Sequence, residues 1–214
     1  AVTTLISTIW LISTIPGKEK LEEAGATFAT TLSLFKDKYI VSLFLGILFI
    51  VGIDVGLNTT IPKLLMERTG MPVSEAGLGT SLYFAARTIG SFAGAFLLAK
   101  LSGARFLKYS MFVAIAAFVL LLLVPDMWSM FVMIVIVGLA CANVFSIIFS
   151  YALQHKPERA NEISALMIMG VSGGALITPL MGIVADGFGQ VAGLSILLLC
   201  ILYICIISFR IDKK

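Results

Sequence analysis

The chain has 214 residues, of which 59% are hydrophobic and only 13% are charged, and its net charge is +3. Soluble domains are about 25% charged, so this chain has too few polar side chains to cover a water-facing surface, and we interpret it as a membrane protein. The small net charge gives no indication of a nucleic-acid partner, and the three cysteines lie in apolar runs without the spacing of metal ligands.

The first 38 residues differ in composition from the rest of the chain. Residues 1–15, AVTTLISTIWLISTI, are apolar but shorter than the roughly 20 residues that a spanning helix needs. No basic segment stands ahead of them, as it would in a signal peptide. Residues 16–38 are polar and charged. We therefore expect 1–15 to be the end of a transmembrane helix and 16–38 to be a cytoplasmic loop between two domains.

Six long apolar runs follow, and each is long enough to cross a bilayer as a helix. None of them alternates apolar and polar residues as a barrel strand would. We therefore predict six helices in the remainder of the chain. The runs cover about 39–62, 76–99, 106–124, 128–153, 163–185 and 191–209.

The basic residues are distributed unevenly between the two sides of the membrane. If 16–38 is cytoplasmic, the connections near 100–108 and 154–161 and the C-terminal tail are cytoplasmic as well. These segments hold twelve of the 15 Lys and Arg residues, whereas the opposite side holds Lys63 and Arg68. Because cytoplasmic loops are enriched in basic residues, the pattern predicts a multi-pass protein of the cytoplasmic (inner) membrane with its C-terminus in the cytoplasm.

Four of the runs carry a polar residue at a similar depth. With a rise of about 1.5 Å per residue, Arg87 lies roughly 20 Å and Asp54 roughly 22 Å from the cytoplasmic boundary. The same rise places Asn143 at roughly 18 Å and Ser172 at roughly 15 Å. Asn58 lies one turn beyond Asp54 on the same helix face. These positions predict a layer of polar side chains near the centre of the bilayer.

The charge of Arg87 is the most demanding feature of this layer. A charged side chain at mid-bilayer costs about 2.5–3.5 kcal/mol on insertion scales, so Arg87 needs a partner or a cavity. Asp54 is the one acidic residue at matching depth. Two interpretations stay open: a structural ion pair that fixes helix register, or a pair that lines the cavity and changes protonation as substrate binds.

The sequence gives little support to an enzyme. No HExxH or GxSxG frame occurs, and the single histidine, His155, lies at the membrane boundary. We therefore expect no catalysis, no cofactor and no metal. A non-transporting sensor and a transporter of another solute stay open, since an unpaired Arg87 would favour an organic anion and a wholly apolar cavity would favour a drug.

Four segments resemble one family of membrane transporters. The segment SALMIMGVSGGALITPLMGIVADGFG (164–189) resembles the penultimate helix of the fucose–galactose–glucose proton symporters, which belong to the major facilitator superfamily. GLACANVFSIIFS (138–150) resembles that family's tenth helix, and AARTIGSFAGAFLLAKLS (85–102) resembles its eighth. VGIDVG (51–56) matches a seventh-helix pattern. One departure is Ile147, where the tenth helix of the family commonly has a proline.

The resemblance implies an all-α membrane protein, with residues 39–214 as the six-helix C-terminal transport domain and 1–15 as the end of helix six. A faint repeat, AKLSG (99–103) and ADGFG (185–189), ends the second and fifth runs on opposite faces and fits two inverted three-helix repeats. The resemblance further implies proton-coupled uptake of a monosaccharide by alternating access, within a lipid bilayer and together with an N-terminal six-helix half.

The resemblance also assigns roles to the polar layer. Asp54 and Arg87 would set the charge of the cavity. Side-chain amides and hydroxyls would bind sugar hydroxyls. Aromatic rings could stack on the sugar, although contact with lipid or packing within the protein is the default role for such rings. The expected substrate contacts are Asn58, Asn143, Ser172, Phe145 and Phe149.

Overall fold

The computed structural model describes residues 27–211, together with Ser7 and Trp10. This part of the chain is helical and contains no strand. The helices are α1 (Phe28–Ser33), α2 (Lys38–Thr69), α3 (Val73–Leu98), α4 (Gly103–Leu123), α5 (Met127–Cys141), α6 (Val144–His155), α7 (Ala160–Met169), α8 (Gly173–Phe188) and α9 (Gln190–Ile211). Three 3₁₀ segments, Leu34–Lys36, Pro157–Arg159 and Gly170–Ser172, connect some of them. The predictions for 1–15 and for most of the 16–38 loop fall outside the described residues.

Among the described residues, six helical segments are long and apolar enough to cross a membrane. Helices α2, α3, α4 and α9 each form one segment, whereas α5 continues into α6 and α7 continues into α8. This confirms the prediction of an all-α protein with six spans. The segments are Lys38–Thr69, Val73–Leu98, Gly103–Leu123, Met127–His155, Pro157–Phe188 and Gln190–Ile211.

Polar residues fix several span ends. The Asp37 carboxylate accepts a hydrogen bond from the Tyr39 backbone N–H at 2.9 Å and so caps the start of α2. Asp126 caps α5 in the same way through the Ser129 N–H, also at 2.9 Å. Such caps satisfy backbone donors that have no partner within the helix. Helix α2 ends at Thr69, and the next residue, Gly70, has a φ of 68° in the left-handed region that favours glycine.

Helix α2 forms the centre of the bundle and packs against α3, α6, α8 and α9. Its contact with α8 is so close that a Cβ on Gly173 would overlap the backbone carbonyl oxygen of Leu48. A Cβ on Gly52 would lie 2.5 Å from Ile177 of α8. Small residues allow helix backbones to approach in this way, and the α2–α8 contact therefore depends on glycine from both helices.

A single arginine ties the far end of α2 to α4. The Arg68 guanidinium donates hydrogen bonds to the carbonyl oxygens of Leu122 at 2.6 Å and Val124 at 3.0 Å. Carbonyls in the last turn of a helix have no partner within that helix. Arg68 therefore satisfies two of these acceptors and holds the ends of two spans together.

Candidate functional site

Asp54, Tyr83 and Arg87 form a polar triad between α2 and α3. Tyr83 and Arg87 lie one turn apart, so both side chains point from α3 toward the same part of α2. The Tyr83 hydroxyl donates a hydrogen bond of 2.7 Å to Asp54 Oδ1, and Arg87 Nη1 forms an ion pair with the same oxygen. The structure thus places the two mid-membrane charges in direct contact.

The triad is largely shielded from solvent. The side chains of Asp54 and Arg87 are 15% and 19% exposed, and Tyr83 is completely buried. A buried polar group requires a hydrogen-bond partner, and Asp54 satisfies this requirement for Tyr83. The ion pair retains some contact with the outside of the bundle, which a proton or a solute would need in order to reach it.

Tyr83 is absent from the residues identified by sequence. Its surroundings, SLYFAA, are apolar, and an aromatic residue in such a context is usually part of the packing. Its position four residues before Arg87, on the same helix face, is the feature of the sequence that could have indicated its contact with Asp54. The ring also contacts Phe84 edge to face, with 5.2 Å between the ring centroids.

Asn58 lies one turn beyond Asp54 and is exposed. Its neighbours Thr59 and Thr60 turn their hydroxyls back to the carbonyl oxygen of Gly56, at 2.9 and 2.5 Å. The amide of Asn58 is therefore the group on this turn of α2 that is best placed to meet a solute.

Asn143 is buried, with 7% of its surface exposed, and lies where α5 ends and α6 begins. Its side-chain Nδ2 donates a hydrogen bond of 2.9 Å to the backbone carbonyl of Gly90 in α3. A Cβ on Gly94 would overlap the Asn143 amide, so this glycine makes room for the contact. In this conformation the amide group joins two spans, and its contact with substrate stays a prediction.

The other predicted contacts lie on the second half of the chain. Ser172 is exposed and ends the 3₁₀ segment between α7 and α8. Phe145 and Phe149 lie one turn apart on α6 and are partly buried. Their rings are stacked, with centroids 5.8 Å apart and an angle of 19° between the ring planes. The two rings pack against each other, and their contact with a sugar stays a prediction.

The chain matches known transporters in sequence. The sequence model of the Major Facilitator Superfamily matches residues 1–179 and, in a second alignment, residues 43–214. A putative glucose/galactose transporter of Helicobacter pylori (strain J99) is 26% identical over 190 residues, which cover 86% of this chain and 46% of the relative. A glucose/galactose transporter of Brucella abortus biovar 1 is 23% identical over 177 residues, or 80% of this chain and 42% of the relative. The chain therefore spans a little under half the length of these relatives.

Solved transporter structures share the fold. The major facilitator transporter FucP in the outward conformation superposes with a TM-score of 0.84 and 18% identity, over 99% of this chain and 52% of FucP. Another FucP structure, described as the E. coli fucose:proton symporter, gives the same TM-score and covers 53% of that chain. A bacterial homologue of the human lysosomal transporter Spinster, in an inward-facing conformation, has a TM-score of 0.69 and 20% identity, over 100% of this chain and 58% of the homologue.

Proposed function

Because this chain belongs to the Major Facilitator Superfamily, we propose that it is the C-terminal half of a transporter that takes up a monosaccharide together with protons. The sugar belongs to the glucose, galactose and fucose class. The observation that carries the proposal is the carboxylate of Asp54, held inside the membrane-spanning bundle by Tyr83 and Arg87. The sugar-transporter relatives support the substrate class.

The transport cycle would require both halves of the protein. In such transporters the substrate lies between two halves, and access alternates as one half rocks against the other. This chain would supply one wall of the cavity, and an N-terminal six-helix half would supply the other. The lengths of the relatives, about twice that of this chain, support this division.

The triad would couple the charge of the cavity to the binding of a proton. An ionised Asp54 attracts Arg87 and accepts the hydroxyl hydrogen of Tyr83. When Asp54 takes up a proton, it loses its charge, and the attraction that holds Arg87 weakens. Arg87 is then free to donate hydrogen bonds to sugar oxygens, and so the arrival of a proton would favour the binding of sugar.

Other polar and aromatic groups of this chain would recognise the sugar without covalent chemistry. The amides of Asn58 and Asn143 and the hydroxyl of Ser172 both donate and accept hydrogen bonds, as sugar hydroxyls do. Phe145 and Phe149 would contact the apolar face of the ring. The protein would act as a carrier in the inner membrane, with its basic connections and C-terminus in the cytoplasm.

Two observations favour a neutral sugar over other solutes. An organic anion would favour an unpaired arginine, but Arg87 is paired with Asp54. A drug would favour a wholly apolar cavity, but the candidate site contains a carboxylate, a guanidinium and a buried hydroxyl. A non-transporting sensor with the same helices is distinguished by the transport measurement itself.

The test is a pH measurement on cells that contain the full-length transporter. Fucose, glucose, galactose and other hexoses are added singly to de-energised cells, and the external pH is recorded. We expect alkalinisation with at least one sugar, and none in cells without the protein. Absence of a pH change with every hexose, despite correct membrane insertion, would contradict proton symport.

A variant of the triad links the signal to this half of the protein. Asp54→Asn should strongly reduce sugar-dependent alkalinisation, because the amide cannot exchange a proton. Asp186→Asn is the matched control, since Asp186 is an exposed carboxylate two residues before the end of its spanning segment, Pro157–Phe188. Equal alkalinisation by Asp54→Asn and by the unmodified transporter would exclude Asp54 from coupling.

A further inference from the structure

A basic pocket lies at the end of the bundle where α1, α2 and the connection between α6 and α7 meet. The cavity has a volume of about 390 Å³. Four cationic side chains and one carboxylate line it, so the lining is strongly positive. The lining residues are Ser33, Leu34, Lys36, Asp37, Lys38, Lys156 and Arg159.

Contacts within the protein hold one wall of this basic pocket in place. Lys156 Nζ lies 2.7 Å from the Asp37 carboxylate. The Arg159 guanidinium donates hydrogen bonds to the Thr30 carbonyl at 2.8 Å and to the Ser33 hydroxyl at 3.0 Å. These bonds attach α1 to the connection between α6 and α7, and they fix the pocket's shape before any ligand enters.

Two further cations are available to a ligand. The ion pairs among residues 27–211 engage Lys156 and Arg159 but neither Lys36 nor Lys38. Both of these lysines are exposed at the pocket's edge. Their charges point to an anionic ligand, because a phosphate offers several strong acceptors to more than one ammonium group.

The outer face of α1 and of the 3₁₀ segment that follows it carries an apolar stripe, called here the apolar stripe of α1, next to the basic pocket. Phe28, Leu32 and Phe35 are 68%, 38% and 41% exposed, at the spacing of one helix face. The opposite face is buried, since Thr31 and Leu34 are 4% and 1% exposed. A short helix with an apolar face and neighbouring basic residues is typical of the membrane interface, where the apolar side chains enter the acyl region.

The ends of the candidate spans would place the basic pocket at the level of the lipid headgroups. Helix α2 begins at Lys38, α6 ends at His155, and the next spanning segment begins at Pro157. The apolar stripe continues toward the membrane, because the ring of Phe35 contacts Phe44 of α2 edge to face at 5.3 Å. The basic side chains of the pocket would therefore lie beside the headgroups, next to the apolar stripe that enters the bilayer.

We propose that the basic pocket binds the phosphate of an anionic phospholipid headgroup, while the apolar stripe of α1 packs among the acyl chains. Lys36 and Lys38 contact the phosphate, and Lys156 and Arg159 form the fixed wall behind it. Basic pockets between spans on the cytoplasmic side are known to hold such headgroups. The lipid thereby attaches the segment before the first complete span to the bundle.

The experiment uses the purified full-length transporter in detergent, titrated with phosphatidylglycerol, with phosphatidylcholine or with inorganic phosphate. The thermal unfolding midpoint and the lipid retained in native mass spectra are measured. We expect phosphatidylglycerol to raise the midpoint and to be retained, while phosphatidylcholine and inorganic phosphate do neither.

Charge variants locate the binding site. Each basic side chain near an anionic surface contributes about a fivefold gain in affinity, so the double variant Lys36→Gln/Lys38→Gln should weaken phosphatidylglycerol binding about 25-fold. The matched control, Lys100→Gln/Arg105→Gln, removes two exposed cations at the same side of the membrane but outside the pocket. It should bind the lipid as the unmodified protein does.

Three results would overturn the proposal. Equal weakening in both double variants would show a general attraction to negative charge. The same rise in midpoint with inorganic phosphate would show a site for a free anion. Loss of stability in Lys36→Gln/Lys38→Gln without any dependence on lipid would show that the two lysines act through contacts within the protein and not through a lipid.

Discussion

The contact between Asp54 and Arg87 can be measured by a double-mutant cycle. Asp54→Asn removes the negative charge but keeps an oxygen that can accept the Tyr83 hydrogen bond. Arg87→Gln removes the positive charge and keeps a polar side chain. The double variant removes both charges, so neither is left uncompensated inside the bundle. The double variant should therefore be less destabilised than the two single variants would suggest by addition.

The exposure of the two side chains sets the expected magnitude. Exposed ion pairs contribute about 0–1 kcal/mol, whereas removal of one partner from a buried pair costs about 3–5 kcal/mol. With 15% and 19% of their side chains exposed, Asp54 and Arg87 lie near the buried limit but keep some solvent screening. We therefore expect a coupling free energy of about 2–3 kcal/mol.

The measurement is equilibrium unfolding of the full-length transporter in mixed micelles of detergent and sodium dodecyl sulfate. A parallel cycle on Asp37→Asn and Lys156→Gln serves as a control, because those side chains are 20% and 34% exposed at the end of the bundle. Its coupling should be under about 1 kcal/mol. A coupling between Asp54 and Arg87 below about 0.5 kcal/mol, the usual limit of additivity, would refute the reasoning.

Three further changes test other contacts. Gly94→Ala should lower the free energy of unfolding by about 1–3 kcal/mol, because its methyl group displaces the Asn143 amide. The control, Gly77→Ala, lies in the same helix with open space around it and should not be destabilising. Arg68→Met should cost about 1–3 kcal/mol in the same unfolding assay, since two carbonyls at the end of α4 lose their donor, and an unchanged midpoint would contradict this role. Although partial burial raises the pKa of Asp37, hydrogen bonds from Lys156 and the backbone hold that pKa well below its usual range. The stability that this carboxylate contributes is complete above about pH 4 and is lost as the pH falls toward the lower folded-state pKa. The unfolding midpoint should therefore decrease over that pH range. The decrease should be smaller in Asp37→Asn.

Hydrophobic run length was sufficient to predict the six spans, because a helix must satisfy its own backbone within the bilayer. Depth along the helices was sufficient to bring Asp54 and Arg87 together. Depth does not give the direction in which a side chain points around its helix. Asn143 shows the limit: its height matches the polar layer, but its amide bonds to the backbone of Gly90 in the next span.

Helix interruptions were less predictable from sequence than the spans themselves. Pro62 and Pro179 lie inside continuous helices. The breaks occur between α5 and α6, just before Val144, and at the 3₁₀ segment Gly170–Ser172. Both breaks lie at contacts with other spans. The first carries the Asn143 amide that bonds to α3, and at the second a Cβ added to Gly170 would lie 3.0 Å from Ile47 of α2. Such contacts are formed between distant parts of the chain.

The ion pair joins two consecutive spans, and this has a consequence for the synthesis of the protein. Helices α2 and α3 leave the ribosome one after the other, and a tight turn of three residues, 70–72, allows them to enter the membrane as a hairpin. Asp54 and Arg87 can neutralise each other inside that hairpin before α8 and α9 have been made. A charge that entered the hydrocarbon alone would cost about 2.5–3.5 kcal/mol. The order of the helices thus lets the chain insert its two most unfavourable side chains as one neutral unit.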